Sequence, residues 1–382
     1  MRAAYHLAGQ CLPDYSCKFS RKDFTLPQLF ACLVVKELMK RSYRGAEALL
    51  RDSDSWLRDV GLRRAPDHNT LCRAAAFLLR RCNVQRLLDA VARWATRARI
   101  LGLSSKPLAI DSTSYESHHV SRHYERRCHE TRRRMRAREA GKRGRNGTRS
   151  DTVRRRPKLA IAVAAHSHLV LAVWTGTGMG SDHPHYESVL SDARGRVPNR
   201  TFKVAADAGY DSEEIHELTR RGMGLASLIP PSSGRPRKHG GPPGGRWRRH
   251  MKRLLATKDS RKRCGYSQRY QAETANSMMK RNLGSALAGK TAWSRKRDMA
   301  LKSLTHDIMV LKRRVETEQV RSNLLPRPAS STVTSTLPST NRMNSIVFFN
   351  GIFAIVPSLT TARISASCEE QQEPPHVLVL RV

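Results

Sequence analysis

The sequence is short of acid. It carries 32 Asp and Glu against 70 Lys and Arg, a formal net charge of +38 over 382 residues. A polyanion is the natural partner for such a chain, because each neutralised phosphate releases condensed counterions. A membrane surface would attract the same charge, but no run reaches the ~18 apolar residues that a spanning helix needs. The best candidate, SIVFFNGIFAIV at 345–356, is too short. CxxC pairs are missing as well. The eight cysteines are scattered, which argues against a zinc ribbon or a disulfide framework and fits a reducing cytosol. Aromatic residues make up only 6% of the chain and no RNP-like stretch occurs, so RNA binding is the weakest nucleic-acid reading. The N-terminus, MRAAYHLAGQCLPDYSCKFSRKD, lacks the apolar segment expected of a signal peptide.

The basic surplus is uneven. From Leu324 onward, Arg327, Arg342, Arg363 and Arg381 face Glu369, Glu370 and Glu373, so nearly all of the excess lies in residues 1–323. Residues 321–382, rich in Ser, Thr and Pro, read as a low-complexity, disordered tail that chemistry can dispense with. Residues 24–100 read as helical. TLPQLFACLVVKELMK has Thr25 as its N-cap and Pro27 in its first turn. YRGAEALLRDSDSWLRDVGL predicts a second helix, and APDHNTLCRAAAFLLRRCN a third, capped by Asp67 or Asn69. Three short helices with a basic last member suit a helix-turn-helix reader of DNA, and equally a bundle that only packs.

At KPLAIDSTSY the pattern changes to an apolar strand that ends on Asp111. Residues 120–158 are Arg-dense with no apolar period and read as a loop or arm. His118, His119, His123, Cys128 and His129 match no standard metal spacing and stand among positive charge, so no metal is expected there. LAIAVAAHSHLVLAVWTG predicts a hairpin turning near His166–His168. SDHPHYESVLSDARG starts a helix, FKVAADAGY is a buried strand ending on Asp207, and SEEIHELTRRGM is a helix capped by Ser212. Residues 232–250 read as a basic Gly/Pro loop, and a last helix is expected over about 293–316.

One stretch, YSQRYQAETANSMMK at 266–280, sets a lone carboxylate among bases. As one helix it would place Tyr266, Arg269, Glu273 and Lys280 on a narrow face, beside an apolar stripe of Ala272, Met279, Leu283 and Ala286. Arg269 and Glu273 also fit an ordinary i, i+4 ion pair, so this helix alone favours a solvated face. The combination changes the balance. Strand ends in open α/β sheets are where sites form, and Asp111 and Asp207 each follow an apolar strand. With Glu273 they make a hard oxygen set for a divalent cation. Two such ions clamp the attacking and leaving oxygens of a phosphodiester. Arg269 and Lys280 would then hold flanking phosphates, and Tyr266 would donate to one or stack on a base.

Tyr266-x2-Arg269-x3-Glu273-x6-Lys280 resembles the Y-R-E-K signature of DDE transposases from bacterial insertion sequences. AIDST around Asp111 and ADAGYDSEE around Asp207 resemble the family's first and second aspartate strands. GSDHPHYESVL, APDHNTLCR and LKSLTHDIMVLKR agree with it too, although Asp307 stands where many relatives have Asn. The resemblance covers roughly residues 24–316. It implies an α/β fold with a ribonuclease H-like catalytic core, a mixed five-stranded sheet with flanking helices. A helical N-terminal DNA-binding module would occupy 1–100, and the catalytic domain 101–320 with its Arg-rich insertion near 120–158. It further implies catalysis by Asp111, Asp207 and Glu273 on two Mg²⁺ or Mn²⁺ ions, and DNA contacts by Tyr266, Arg269 and Lys280. The partners would be double-stranded DNA at element ends and target, bound by a homodimer or higher oligomer in the bacterial cytoplasm at the nucleoid. The implied activity is metal-dependent strand cleavage and strand transfer at terminal inverted repeats. The alternative is an inactive, sequence-specific DNA-binding protein derived from such an enzyme.

Overall fold

Thr25 and Gln28 show why the first long helix starts where it does. The Thr25 hydroxyl accepts from the Gln28 backbone N–H at 3.3 Å, and the Gln28 side chain accepts from the Thr25 N–H at 2.8 Å. This reciprocal box satisfies two orphan donors at the start of α2 (Leu26–Leu38). In the computed structural model the described residues are 1–101, 106–117, 156–178, 182–197, 203–232 and 244–324, with isolated residues 127, 130, 131 and 134. The tail after 324, most of the Arg-rich arm and the His118–His129 group lie outside them.

Six helices precede the sheet: α1 (Arg2–Gly9), α2, α3 (Tyr43–Arg51), α4 (Asp54–Asp59), α5 (His68–Leu78) and α6 (Arg81–Arg97). The expected second helix is broken in two at Asp52 and Ser53. The run Asp52-Ser53-Asp54-Ser55 offers side-chain oxygens that compete for backbone donors, which weakens a helix interior. Asp67 caps α5 as expected, accepting from the N–H groups of Asn69 and Thr70 at 2.9 Å each.

The sheet is mixed and five-stranded, in the order β4-β3-β1-β5-β6. β1 (Leu108–Ser114), β3 (Pro157–Ala164) and β4 (Val170–Thr177) form an antiparallel meander, with the hairpin turning where Ser167 and His168 donate back to the Ala164 carbonyl. β5 (Lys203–Ala206) and β6 (Ala226–Leu228) extend β1 in parallel on its other side. α7 (His183–Arg194) packs on the meander, and α8 (Glu213–Glu217) lies between β5 and β6. After β6 come α9 (Arg246–Leu254), α10 (Lys258–Cys264) and α11 (Tyr270–Leu283). The two-residue strand β2 (Glu116–Ser117) pairs with β7 (Ala286–Leu287), and α12 (Ala292–Leu324) ends the described chain.

Strand alternation sorts the sheet into two faces. Leu108, Ile110, Ala160, Ala162, Val204 and Ala206 join a large core with the N-terminal helices, α7 and α12. Ala109, Leu159, Ile161 and Val163 join a smaller one with Ala272, Ala275 and Met279 of α11. The N-terminal helices and the sheet therefore share one apolar core, within a single compact unit. A buried ionic group links the parts. Lys302 of α12 pairs with Glu37 of α2 at 2.7 Å and also donates to the Leu283 carbonyl at the end of α11. Breaking such a pair leaves a buried charge uncompensated, so its value lies in fixing where these ends meet. Among the described residues, no helix is long and apolar enough to cross a membrane.

Candidate active site

The antiparallel partner of β1 runs alongside it from Leu108 to Ser114, but the parallel partner stops at Ile110, which pairs with Ala206. The strand thus continues through Asp111 instead of ending there. Asp111 is the first residue past the end of β5, where a crevice opens at the carboxyl ends of parallel strands. Asp207 follows Ala206 and lies beside it, exposed, with its carboxylate accepting from the Ala208 N–H at 2.7 Å. Alternation places Asp111 on the same face as Ala109, the face that α11 covers.

α11 brings the third acid. The Asn276 side chain donates to Asp111 Oδ2 at 3.0 Å, and Lys280 Nζ donates to Thr113 Oγ1 at 2.6 Å. Four helical residues climb ~6 Å and two strand residues ~6.6 Å, so the two bonds hold helix and strand in step. Glu273, one turn before Asn276, is exposed and pairs with Arg269 Nη1 at 2.7 Å. The helix starts at Tyr270, and residues 266–269 form a separate 3₁₀ turn after Gly265, whose φ of 90° suits glycine. The single wheel drawn through 266–280 is therefore corrected: Tyr266 and Arg269 precede the helix. Ala286 has also left the stripe, because Gly284 ends α11 and Ala286 pairs with Glu116 in the small sheet.

Burial pushes the Asp111 carboxyl above its ordinary range, and the nearby Glu273 charge adds to this. The Asn276 bond, the Ser112 N–H and the Arg269 charge oppose it. Burial also raises the Tyr266 phenol, with Asp207 adding and Arg269 and Arg261 opposing. Burial lowers the Lys280 ammonium against the pull of Asp111 and Glu116. The charges of both aspartates, the glutamate and the two bases are thus felt within one neighbourhood. The donor chemistry fits a hard divalent cation: carboxylates from two strands and a helix, with the buried Asn276 Oδ1 lacking a hydrogen-bond partner beside Asp111. The side chains are not gathered for one, however. Among the described residues, no three His, Cys, Asp or Glu stand together as a group able to hold a metal, and Glu273 is turned to Arg269 instead.

Two contributors escaped the sequence reading. Asn276 had no signal beyond its place in the helix. Asp182 reads locally as the N-cap of α7 but makes no capping bond. It accepts from the Ser112 hydroxyl at 2.8 Å and pairs with the buried Lys158. A bracket of three residues thus braces β1 from behind, next to Asp111 and Gly209.

A mixed sheet of this order, with helices on both faces, one acid in β1 just past the end of its parallel partner and another directly after that partner, defines a ribonuclease H-like core. The family model for the transposase DDE domain matches residues 102–305, more than half of the chain, and the protein belongs to the DDE transposases. No curated protein matches it.

Proposed function

We propose that this protein is a DNA transposase that binds the terminal inverted repeats of an insertion sequence and performs divalent-metal-dependent strand cleavage and strand transfer. The observation that carries this reading is the placement of Asp111 and Asp207 at adjacent strand positions beneath the helix that bears Glu273. These three carboxylates would hold Mg²⁺ or Mn²⁺, in two ions. Bound there, the metal would polarise the phosphodiester and activate the attacking oxygen. The chain's own part is to position and to release. Asn276 holds Asp111 in place. Arg269, now on Glu273, transfers to a DNA phosphate, which frees Glu273 to complete the acid set. Tyr266 lies beside Arg269 and contacts the same strand. Lys280, which now donates to Thr113, keeps α11 in register and faces the next phosphate. Residues 1–100 supply contacts to the element ends, and a homodimer or higher oligomer assembles on the DNA, in the cytoplasm at the nucleoid.

The second reading is a DNA-binding protein without catalysis, and the Arg269–Glu273 pair favours it. One assay separates the two. The full chain is incubated with duplex DNA carrying the element's own flanking repeats, with Mg²⁺ or Mn²⁺. Strand cuts at the repeat ends support the transposase. Binding without cuts in either metal leaves the inactive binder.

A further inference from the structure

Residues 232–250 were expected to be a basic Gly/Pro loop, yet a helix already starts at Arg246, after Gly245, and a second follows it. From Arg246 to Arg263 they carry nine Lys or Arg and a single acid, Asp259. Trp247, Met251, Leu254 and Leu255 recur at helical spacing, and Met251 and Leu255 are buried, so α9 has a seated side. Its seat is acidic. Arg248 donates from Nε to both oxygens of Asp211 at 2.9 and 3.0 Å, and from Nη2 at 2.6 Å. The Asp211 side chain is wholly buried. Glu213 accepts from the N–H groups of Trp247 and Arg248 at 2.8 and 3.1 Å, filling the helix start. Gly245 has a φ of 91°, and a Cβ there would strike the Glu213 carboxylate, so only glycine admits this approach. Arg220 lies over the Trp247 ring at 4.4 Å.

The outer side has the opposite character. Arg249, Lys252, Arg253, Lys258, Lys262 and Arg263 are all exposed, and none has an ion-pair partner among the described residues. A like-charged row held on a fixed support repels itself, and a polyanion relieves that cost. The row also leads to the site. Lys203 fixes the end of α10 by donating to the Cys264 carbonyl at 3.1 Å, and the Arg261 charge reaches Tyr266, where it opposes that of Asp207.

We propose that residues 246–263 form a docked basic ridge that grips the phosphate backbone of duplex DNA beside the cut site without reading its bases. This rests on the DNA-transposase reading and adds its second contact surface. It divides the arginines by role: Arg248 is the anchor that seats the ridge, and its exposed neighbours meet the phosphates. It also withdraws Asp211 and Glu213 from any metal-binding part, although they share the ADAGYDSEE stretch with Asp207.

The test uses the full chain, without added metal, on a duplex of arbitrary sequence, and reads the slope of log K against log salt. Each lost phosphate contact lowers that slope by ~0.9 on B-DNA, so Arg249→Gln/Lys252→Gln/Arg253→Gln should lower it by about 2.7 at unchanged Tm. Lys258→Gln/Lys262→Gln/Arg263→Gln should act likewise. The loss should be equal for any sequence. Arg248→Gln should instead lower Tm. An unchanged slope in both triple variants overturns the proposal, as does a loss confined to one sequence or to duplex RNA. Absence of cleavage by the wild-type chain in the separate metal assay would sink the catalytic reading and leave this slope measurement standing.

Discussion

The two faces of the central sheet are built from alternate residues of the same strands and do different work. On one, Leu108, Ile110, Ala160 and Ala162 meet the N-terminal helices, α7 and α12 in the large core. On the other, Ala109, Leu159 and Ile161 meet Ala272, Ala275 and Met279 of α11, and the row then continues into Asp111 and Thr113. The first face is apolar through Ile110 and Ala160, and its polar end, Ser112 and Lys158, is tied off by Asp182. The second turns polar at the point where β5 ends and the sheet no longer covers the side chain. Small residues let α11 lie close, which brings Asn276 within hydrogen-bond reach of Asp111. One face supplies cohesion, and the other trades it for a set of acids held at fixed places. The difference can be broken by substitution.

The largest effect is expected at Asp207. It is exposed and its carboxylate accepts from the Ala208 N–H next to it, so removal costs little stability. Asp207→Ala should abolish metal-dependent strand cleavage while Tm and DNA binding stay as in the wild type. Full cleavage by the purified variant would remove Asp207 from the catalytic set. The mirror experiment is Leu304→Ala on α12, a fully buried residue of the large core. It should cost ~2–5 kcal/mol by denaturant unfolding, as buried leucines do, while the folded fraction still cuts DNA. If Leu304→Ala left stability intact and removed cleavage, the division between the faces would fail.

How much of this was legible depended on the reach of each interaction. Thr25 with Gln28 and Asp67 with Thr70 are three residues apart, and both caps can be read from the letters. The strands bearing Asp111 and Asp207 are short apolar runs bounded by polar residues, so they too could be read, although not that β1 runs on to Ser114. The strand order could not be derived from pattern, and the family resemblance implied a mixed five-stranded sheet without its order. Asn276 meets Asp111 across 165 positions, and Ser112 meets Asp182 across 70. Nothing local distinguishes such residues from a solvated Asn or a capping Asp. Two errors have plain causes. Gly and Pro at 240–245 hid the helical spacing of Trp247, Met251 and Leu254. The wheel through Tyr266 ignored Gly265, whose positive φ starts a tighter turn. The Arg269–Glu273 pair is the one the solvated-face reading foresaw, whereas the functional reading gave Arg269 to a DNA phosphate.

On the cohesive face, two buried titratable groups pull stability in opposite directions. His306 is 2% exposed, and its Nε2–H donates to the His168 carbonyl at 3.0 Å. Burial holds its pKa down at about 4, with the His168 charge adding and the carbonyl bond opposing. In the unfolded chain it gains a proton near pH 6.5, and in the fold it does not, so stability is lost as pH falls from about 6.5 to 4. His306→Gln, which keeps a donor for the carbonyl, should lessen that loss by on the order of 3 kcal/mol. Equal acid unfolding curves would refute it. Asp307 is fully buried. Its Oδ1 accepts from the Val170 N–H at 2.8 Å and its Oδ2 has no partner. Burial raises it well above the carboxylate range, so the fold keeps a proton that the unfolded chain releases. Its contribution is present at low pH and is lost as pH rises. Asp307→Asn should therefore gain on the wild type between pH 5 and pH 8, in a widening gap of unfolding free energies. Parallel curves would show that the carboxyl is ionised in place.

The smallest expected effect tests the other face most directly. Asn276 is buried, among the described residues it is the one side chain that donates to Asp111, and that bond holds down a carboxyl which burial has raised. Leucine keeps the same number of side-chain heavy atoms, branched at Cγ, and has no donor. Asn276→Leu also removes an unpartnered buried oxygen, Asn276 Oδ1, so the cost of the lost bond is offset within the same residue. Stability should thus change little. The Asp111 carboxyl, followed by carbon-detected NMR titration of the metal-free protein, should move further up, since desolvation then acts with less opposition. Met279→Leu, on the same helix but packed among apolar neighbours, should leave that titration where it is. A change of equal size in both variants would mean that α11 acts on Asp111 only by lying close, through exclusion of water. A change confined to Asn276→Leu would mean that this face is organised by a particular hydrogen bond, which the large core has no need of.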